Sequence, residues 1–296
     1  MANLKVIRIR LSSVKSTRQI TSAMKMVAAA KLRKAQDRIV HLRPYADKLN
    51  EILSGLNEAL RDTEIENLFA ERKSGRRRTL LIVVTSNKGL CGSFNANVIR
   101  EARRLMTEKY NEQMRRGDLW FMPVGKKGAD VLKRMKCNIL EDHSDLYNRL
   151  TFDRAAEVAE RLMSLYLNKE FDTIEIIYNQ FKNAAVQKLT QELFLPVSAT
   201  AVVVKGKEIV TDYIYEPDQI NIVENLVPKA LRIQFYKALL DSVAAEHGAR
   251  MTAMHQATDN ATDLIRDLTM QYNKARQASI TNQLLEVVSG AEALKG

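Results

Sequence analysis

Asn3-Leu4-Lys5-Val6-Ile7-Arg8-Ile9-Arg10-Leu11 opens a segment in which apolar residues return every three or four positions. The series runs Ile7, Leu11, Val14, Arg18, Thr21, Lys25, Ala28, Leu32, Ala35, Ile39, Leu42, Ala46, Leu49, Leu53, Leu56 and Leu60. Alternating steps of three and four average 3.5 residues, the seam of a left-handed coiled coil. Asn3 suits an N-cap. Only Pro44 and Gly55 interrupt the run before Gly75, and Pro44 is expected to kink the helix without ending it. Residues 4–60 therefore read as one helix on the order of 80 Å long.

A second segment of this kind closes the chain. After Pro228 no proline occurs, and glycine appears only at 248, 290 and 296. Leu231, Phe235 and Ala238 start a stripe that continues through the small residues Ala245, Ala249 and Ala253. It resumes at Ile265, Leu268 and Tyr272 and ends in Ile280, Leu284, Val287, Ala291 and Leu294. Each helix is too narrow and polar to fold alone, so the two are expected to pack antiparallel around the middle of the chain. Setting Leu60 opposite Pro228 places residues near 24 beside those near 264. The apolar tip beyond about 285 then lacks a partner in its own chain, which marks a binding surface for another protein.

The middle has a different grammar. Arg72-Lys73-Ser74-Gly75-Arg76-Arg77-Arg78 is a charged linker. Leu80-Leu81-Ile82-Val83-Val84 is the longest apolar run, so Thr79–Thr85 reads as a buried strand. Further strands are expected at Leu119–Val124 and Thr173–Tyr178, with helices at Asn95–Arg116, Gly125–Met135 and Phe152–Asn168. Ala199–Lys205 and Glu208–Tyr215 read as a hairpin turning at Gly206-Lys207. Strands alternating with helices predict a mostly parallel, Rossmann-like α/β domain inserted between the coiled-coil helices. The divisions are 1–60, a linker at 61–78, the α/β domain at 79–216 and the C-terminal helix at 217–296.

Charge is unevenly spread. The net charge is +11, and residues 1–43 hold eleven Lys or Arg against the single acid Asp37. Such a strip faces nucleic acid, an anionic surface or an acidic protein. No apolar run approaches the roughly 18 residues of a membrane-spanning helix, and no secretory signal pattern is seen. Cys91 and Cys137 are too few and too far apart for a disulfide framework, so reduced thiols in a cytosolic protein are expected.

Catalytic patterns fail one by one. Ser86-Asn87-Lys88-Gly89-Leu90-Cys91-Gly92-Ser93 follows a strand and precedes a helix but lacks the phosphate-loop order of glycines, lysine and hydroxyl. Gly125-Lys126-Lys127-Gly128 fails the same test. His247 and His255 lie eight apart with no acid cluster to complete a metal site. Met24, Met26, Met251, Met254 and Met270 suit flexible packing. No cofactor and no catalytic residue is expected.

Three stretches carry a resemblance. They are Ile20-Thr21-Ser22-Ala23-Met24-Lys25-Met26-Val27-Ala28-Ala29-Ala30-Lys31-Leu32, then Lys88-Gly89-Leu90-Cys91-Gly92-Ser93-Phe94-Asn95. The third begins Glu246-His247-Gly248-Ala249-Arg250-Met251-Thr252-Ala253-Met254 and continues through Ala257–Ala261 and Tyr272–Thr281 to Ser289-Gly290-Ala291. In order, they resemble the gamma subunit of F-type ATP synthases over essentially the whole chain.

The resemblance implies a non-enzymatic central stalk. Its coiled coil would turn inside a ring of alpha and beta subunits, and its α/β domain would lie against the epsilon subunit and the membrane c-ring. Rotation of an asymmetric shaft would present different faces to each catalytic site in turn, linking ATP turnover to torque. The implied location is the cytoplasmic face of a bacterial plasma membrane, peripherally bound. Ring contacts are implied at Met24, Lys25, Arg276, Gln277, Ile280, Thr281, Gln283, Leu284 and Val287. Gln283 departs from the family pattern, which has Glu there, so a charge contact becomes a neutral hydrogen bond. Tyr213 and Glu216, at the end of the expected hairpin, are the implied foot contacts. The alternative reading is a basic coiled-coil protein that binds nucleic acid, although aromatic platforms and reading motifs are absent.

Overall fold

The computed structural model describes residues 4–59, 69, 77–197 and 219–293. Helix α1 spans Leu4–Ala59 and continues through Pro44; helix α6 spans Gln219–Ala293 and continues through Pro228. Between them lie β1 (Thr79–Val84), α2 (Phe94–Thr107), α3 (Asn111–Arg116), β2 (Leu119–Val124), α4 (Lys126–Arg134), β3 (Asn138–Ile139), α5 (Phe152–Leu167), β4 (Thr173–Phe181) and β5 (Gln187–Leu195). The chain divides into two compact units, one drawn from Met1–Ala28 with Arg250–Gly296, the other from Ala29–Ala249.

In the first unit the expected seam is visible in burial. Ile7, Thr21 and Ala28 are buried on α1, as are Met254, Ala261 and Leu268 on α6. The Thr258 hydroxyl lies 2.8 Å from that of Thr21, whose own proton goes to the Arg18 carbonyl at 3.1 Å. One polar seam residue thus finds its partner across the pair, a device that fixes register. The register differs from the expected one, because Thr21 meets Thr258 rather than a residue near 267. The cause lies in the choice of Pro228 as the residue facing the end of α1, since α6 runs straight through that proline from Gln219.

In the second unit α1 and α6 again pair. Ala46 and Leu49 pack with Ile233, flanked by Leu42, Leu226 and Ala230. This packing holds helical turns on both sides of Pro228 and offsets the backbone hydrogen bond that proline cannot donate.

The sheet order is β3-β2-β1-β4-β5, parallel except for β5, which runs antiparallel to β4. All six β1 residues are buried because both faces are covered. On one face Leu81, Val83, Leu119, Phe121 and Ile177 pack against α2 and α4 residues, among them Val98, Leu105 and Leu132. The pleat sends Leu80 and Ile82 to the opposite face. There α6 meets α5 and β5: Arg232 pairs with Glu160 at 3.1 Å, Phe235 packs on Phe194, and Gln234 donates to Glu192 at 2.8 Å.

The break after Thr107 and the strands β3 and β5 differ from expectation. The helix expected over 95–116 breaks after Thr107, since Tyr110 turns into the core and its amide bonds the Leu105 carbonyl at 2.8 Å. Beside it, the buried Glu175 carboxylate accepts from Lys109 at 2.5 Å and Gln191 at 2.6 Å. Strand β5, Gln-Lys-Leu-Thr-Gln-Glu-Leu-Phe-Leu, was not expected; its polar face masks the alternation. The hairpin expected at 199–215 lies outside the described residues.

Candidate functional site: the exposed end of the helix pair

Thr21 opposite Thr258 puts Leu4 near Ala275, so α6 runs on for roughly 18 residues, or about 27 Å, past the start of α1. From Arg276 to Glu292 every described side chain is exposed. The stretch is not polar: Ile280 is 48% exposed, Leu284 61% and Val287 70%, with Leu285 and Val288 also exposed. A helix this apolar on its open side has surface left for a partner.

Of the residues singled out for ring contact, Arg276, Gln277, Ile280, Thr281, Gln283, Leu284 and Val287 all fall in this exposed stretch. The Thr281 hydroxyl donates to the Gln277 carbonyl at 3.0 Å, an ordinary intrahelical bond. Met24 and Lys25 are half-buried on α1 beside the seam. Tyr213 and Glu216 lie outside the described residues. Off the seam, Val6, Ile9, Ile20 and Val27 on α1 and Leu264 on α6 are exposed apolar residues to which the sequence reading assigned no role, and Met26 and Met270, expected to pack, are exposed as well. Their signal was present, because apolar side chains at non-seam heptad positions have no partner within a two-helix pair. The basic strip is open as well: Lys5, Arg8, Arg10, Lys15, Arg18, Lys31, Arg33, Lys34 and Arg38 are exposed, although Arg38 also donates to the Leu150 carbonyl at 3.3 Å.

The glycine turns at the carboxyl end of the sheet are structural. At the start of α4 the Lys126 amide donates to Asn87 Oδ1 (2.7 Å) and the Lys127 amide to the Ser86 carbonyl (3.1 Å). The Gly128 amide donates to Thr85 Oγ1 (2.8 Å) and the Ala129 amide to the Gly125 carbonyl (3.2 Å). The three amides of Lys126, Lys127 and Gly128, which lack intrahelical acceptors and which a phosphate would use, are taken by the protein itself, and the Ala129 bond is the first of the helix. Gly125, at φ 125°, is required here, since a Cβ would fall 2.0 Å from the Thr85 carbonyl oxygen. Asn95, from the central family-like stretch, ties the other turn together by accepting from the Ser86 amide at 2.9 Å and donating to Ser86 Oγ at 2.8 Å.

Helix α6 occupies the space beyond these strand ends. The Tyr147 hydroxyl donates to the Ser242 carbonyl at 3.2 Å. Burial raises the Tyr147 phenol well above the usual range, and the nearby Glu246 carboxylate adds to it. Gly248 lets the backbone of Ala184 approach closely, its missing Cβ lying 3.1 Å from the Ala184 oxygen. Among the described residues no group of His, Cys, Asp and Glu is placed to hold a metal ion, and no helix is long and apolar enough to cross a membrane.

An antiparallel pair of terminal helices around an inserted, mostly parallel sheet defines the class: a two-helix shaft with an α/β domain. A family model described as ATP synthase matches residues 3–294. The ATP synthase gamma chain of Flavobacterium psychrophilum is 50% identical over 298 residues, covering 100% of both chains. That of Cytophaga hutchinsonii is 47% identical over 295 residues and 99% of both chains. Among solved structures, a chain of the Tetrahymena thermophila mitochondrial ATP synthase central stalk and c-ring is 28% identical with TM-score 0.57, covering 80% of this chain and 99% of that one. A chain of the Euglena gracilis mitochondrial ATP synthase shares the fold at TM-score 0.68 and 21% identity, covering 98% and 94%. The chain belongs to the ATP synthase gamma-chain family, the gamma subunit of the central stalk in F-type ATP synthases. The nucleic-acid alternative finds no support in these comparisons.

Proposed function

We propose that this chain is the rotor shaft that couples ion-driven rotation of a membrane c-ring to sequential changes at catalytic alpha/beta sites. It performs no chemistry itself and acts by differential contact, so that each catalytic site's nucleotide affinity depends on shaft angle. Its partners are the alpha and beta subunits, the epsilon subunit and the c-ring, and its place is peripheral, on the cytoplasmic face of a bacterial plasma membrane. The named relatives and the central stalk and c-ring assembly of the Tetrahymena thermophila structure support this reading.

One observation carries it: α6 continues past its partner helix with Ile280, Leu284 and Val287 open to solvent. Apolar contact has little directionality, so a greasy helix can turn inside a collar without breaking oriented bonds. The basic strip of α1 suits acidic loops of such a collar by attraction that tolerates sliding. Residues 1–60 and 217–296 serve as the shaft, 61–78 as a linker and 79–216 as the foot domain, with Tyr213 and Glu216 at its base. Met24, Lys25, Arg276, Gln277, Thr281 and Gln283 join the apolar tip as ring contacts. The test is co-purification of the tagged chain. A hexameric ATPase ring should come with it, and a chain recovered alone from cells that contain assembled ring would refute the assignment.

A further inference from the structure

The α/β domain has two unlike faces. Residues 94–136, which supply α2, α3 and α4, contain eleven Lys or Arg against five acids, and all eleven cations are exposed. Residues 152–172, which supply α5, contain three against five. Helices α2 and α4 adjoin across a small gap lined by Ile99, Ala102, Met106, Val131, Leu132 and Met135, and Met114 of α3 joins the same core cluster. Helix α5 contributes nothing to that cluster, so the positive charge belongs to one side of the sheet, away from α5 and α6.

Part of that charge is neutralised locally. Arg104 pairs with Glu101 and Glu108, Arg116 with Glu112, Lys133 with Asp142 and Lys109 with Glu175. Arg100 and Arg103 on α2, Arg115 on α3, and Lys126, Lys127 and Arg134 on α4 form no ion pair among the described residues. No large apolar side chain between 94 and 136 is exposed among the described residues.

We propose that the α2–α3–α4 layer is a docking face for the anionic headgroups of a lipid bilayer. Stable protein interfaces rely on apolar and aromatic anchors in a desolvated centre, and single-stranded nucleic acid needs aromatic stacking platforms. Among the described residues this layer offers neither an exposed large apolar side chain nor an exposed aromatic, only many separate exposed cations. A diffuse anionic plane rewards that arrangement, because each cation near it contributes independently and no fixed geometry is needed. The inference rests on the membrane-peripheral reading above, which brings the foot domain within reach of lipid.

The experiment floats purified full-length chain with vesicles of phosphatidylcholine alone or with one part in three of photoactivatable phosphatidylglycerol, then maps the crosslinked peptides. Wild type should float only with the anionic vesicles and be released by high salt, with crosslinks between residues 100 and 136. Arg100→Gln/Arg115→Gln/Lys127→Gln/Arg134→Gln should lower partitioning by about a hundredfold or more, at roughly fivefold per cation, with an unchanged melting temperature. Crosslinks confined to residues 5–43, or a variant that floats like wild type, would overturn the proposal. A variant that still floats yet falls out of the assembled complex would assign the face to an acidic protein instead. Ring co-purification from the same preparation separates the two readings. A chain that binds the ring but not anionic vesicles overturns this inference alone, and one that floats but never binds the ring overturns the rotor assignment alone.

Discussion

Replacing Gly248 with alanine should weaken the protein, although the same change in an open helix strengthens one. Alanine inside a helix is favoured over glycine by about 1 kcal/mol. Here the new Cβ would stand 3.1 Å from the Ala184 oxygen and 3.3 Å from its Cα, with Phe181 at 3.5 Å. Carbon contacts are comfortable at about 3.5–4.0 Å, and the crowded atoms are backbone, so one element must shift. Overpacking of this size costs about 1–3 kcal/mol, leaving a net loss of about 0–2 kcal/mol. Gly290 in the same helix has nothing within 4 Å of its added Cβ, so Gly290→Ala should gain the full propensity term. Urea unfolding followed by circular dichroism reads the first variant; a lower midpoint at unchanged slope is the expected outcome. Amide exchange across residues 286–292 reads the second, with slowing of roughly fivefold, the equivalent of about 1 kcal/mol. If Gly248→Ala raised the urea midpoint, close approach would not be the reason for glycine at that position.

Other expectations follow from the same structure. Tyr110, Tyr147 and Tyr178 have phenols raised by burial and by Glu175, Glu246 and Glu192 respectively. The unfolded chain therefore releases these protons first, near pH 10, so the tyrosines' contribution to stability is level below pH 10 and stability should fall as pH rises beyond it; a melting temperature flat from pH 9 through pH 11 would contradict this. Glu175→Ala strips Lys109 and Gln191 of their shared acceptor and should cost on the order of 2 kcal/mol in chemical denaturation, reflecting hydrogen bonds to a charged group. Deleting residues 284–296 should impair assembly or coupling while leaving the melting of the α/β domain unchanged; normal coupling by the truncated chain would remove the tip from the contact surface. Lys25→Glu should slow ATP turnover of the assembled complex several-fold, and unaltered turnover would take Lys25 off the ring-contact surface.

The long helices were legible because a 3.5-residue repeat over many turns has no other use. Ile7, Ala28, Leu32, Ala35, Ile39, Ala46 and Leu49 all fall in the buried seam. Strand β1 was equally plain, since five consecutive aliphatic residues need cover on both faces. The register was harder. Small seam residues such as Ala245 and Ala249 pack in many alignments, and contacts such as Thr21 with Thr258 and Ala46 and Leu49 with Ile233 distinguish one of them. Strand β5 stayed hidden because Lys188, Thr190 and Glu192 read as loop until β4 supplies a partner for their backbone. The break after Thr107 depends on Tyr110 reaching a core formed by residues distant in sequence, so no local pattern announces it. For the tip, the sequence showed apolar residues with no partner in the helix pair, and Ile280, Leu284 and Val287 are exposed in the structure.

The occupied amides of Lys126, Lys127 and Gly128 have a consequence for a subunit that works beside nucleotide. In many α/β domains that helix end is the cradle for phosphate, and a rotor carrying such a cradle would sequester the fuel and product of its own machine. Asn87, Ser86 and Thr85 already accept from those three amides. The foot domain can therefore turn through a compartment rich in ATP, ADP and phosphate without being loaded, braked or switched by any of them at that helix end.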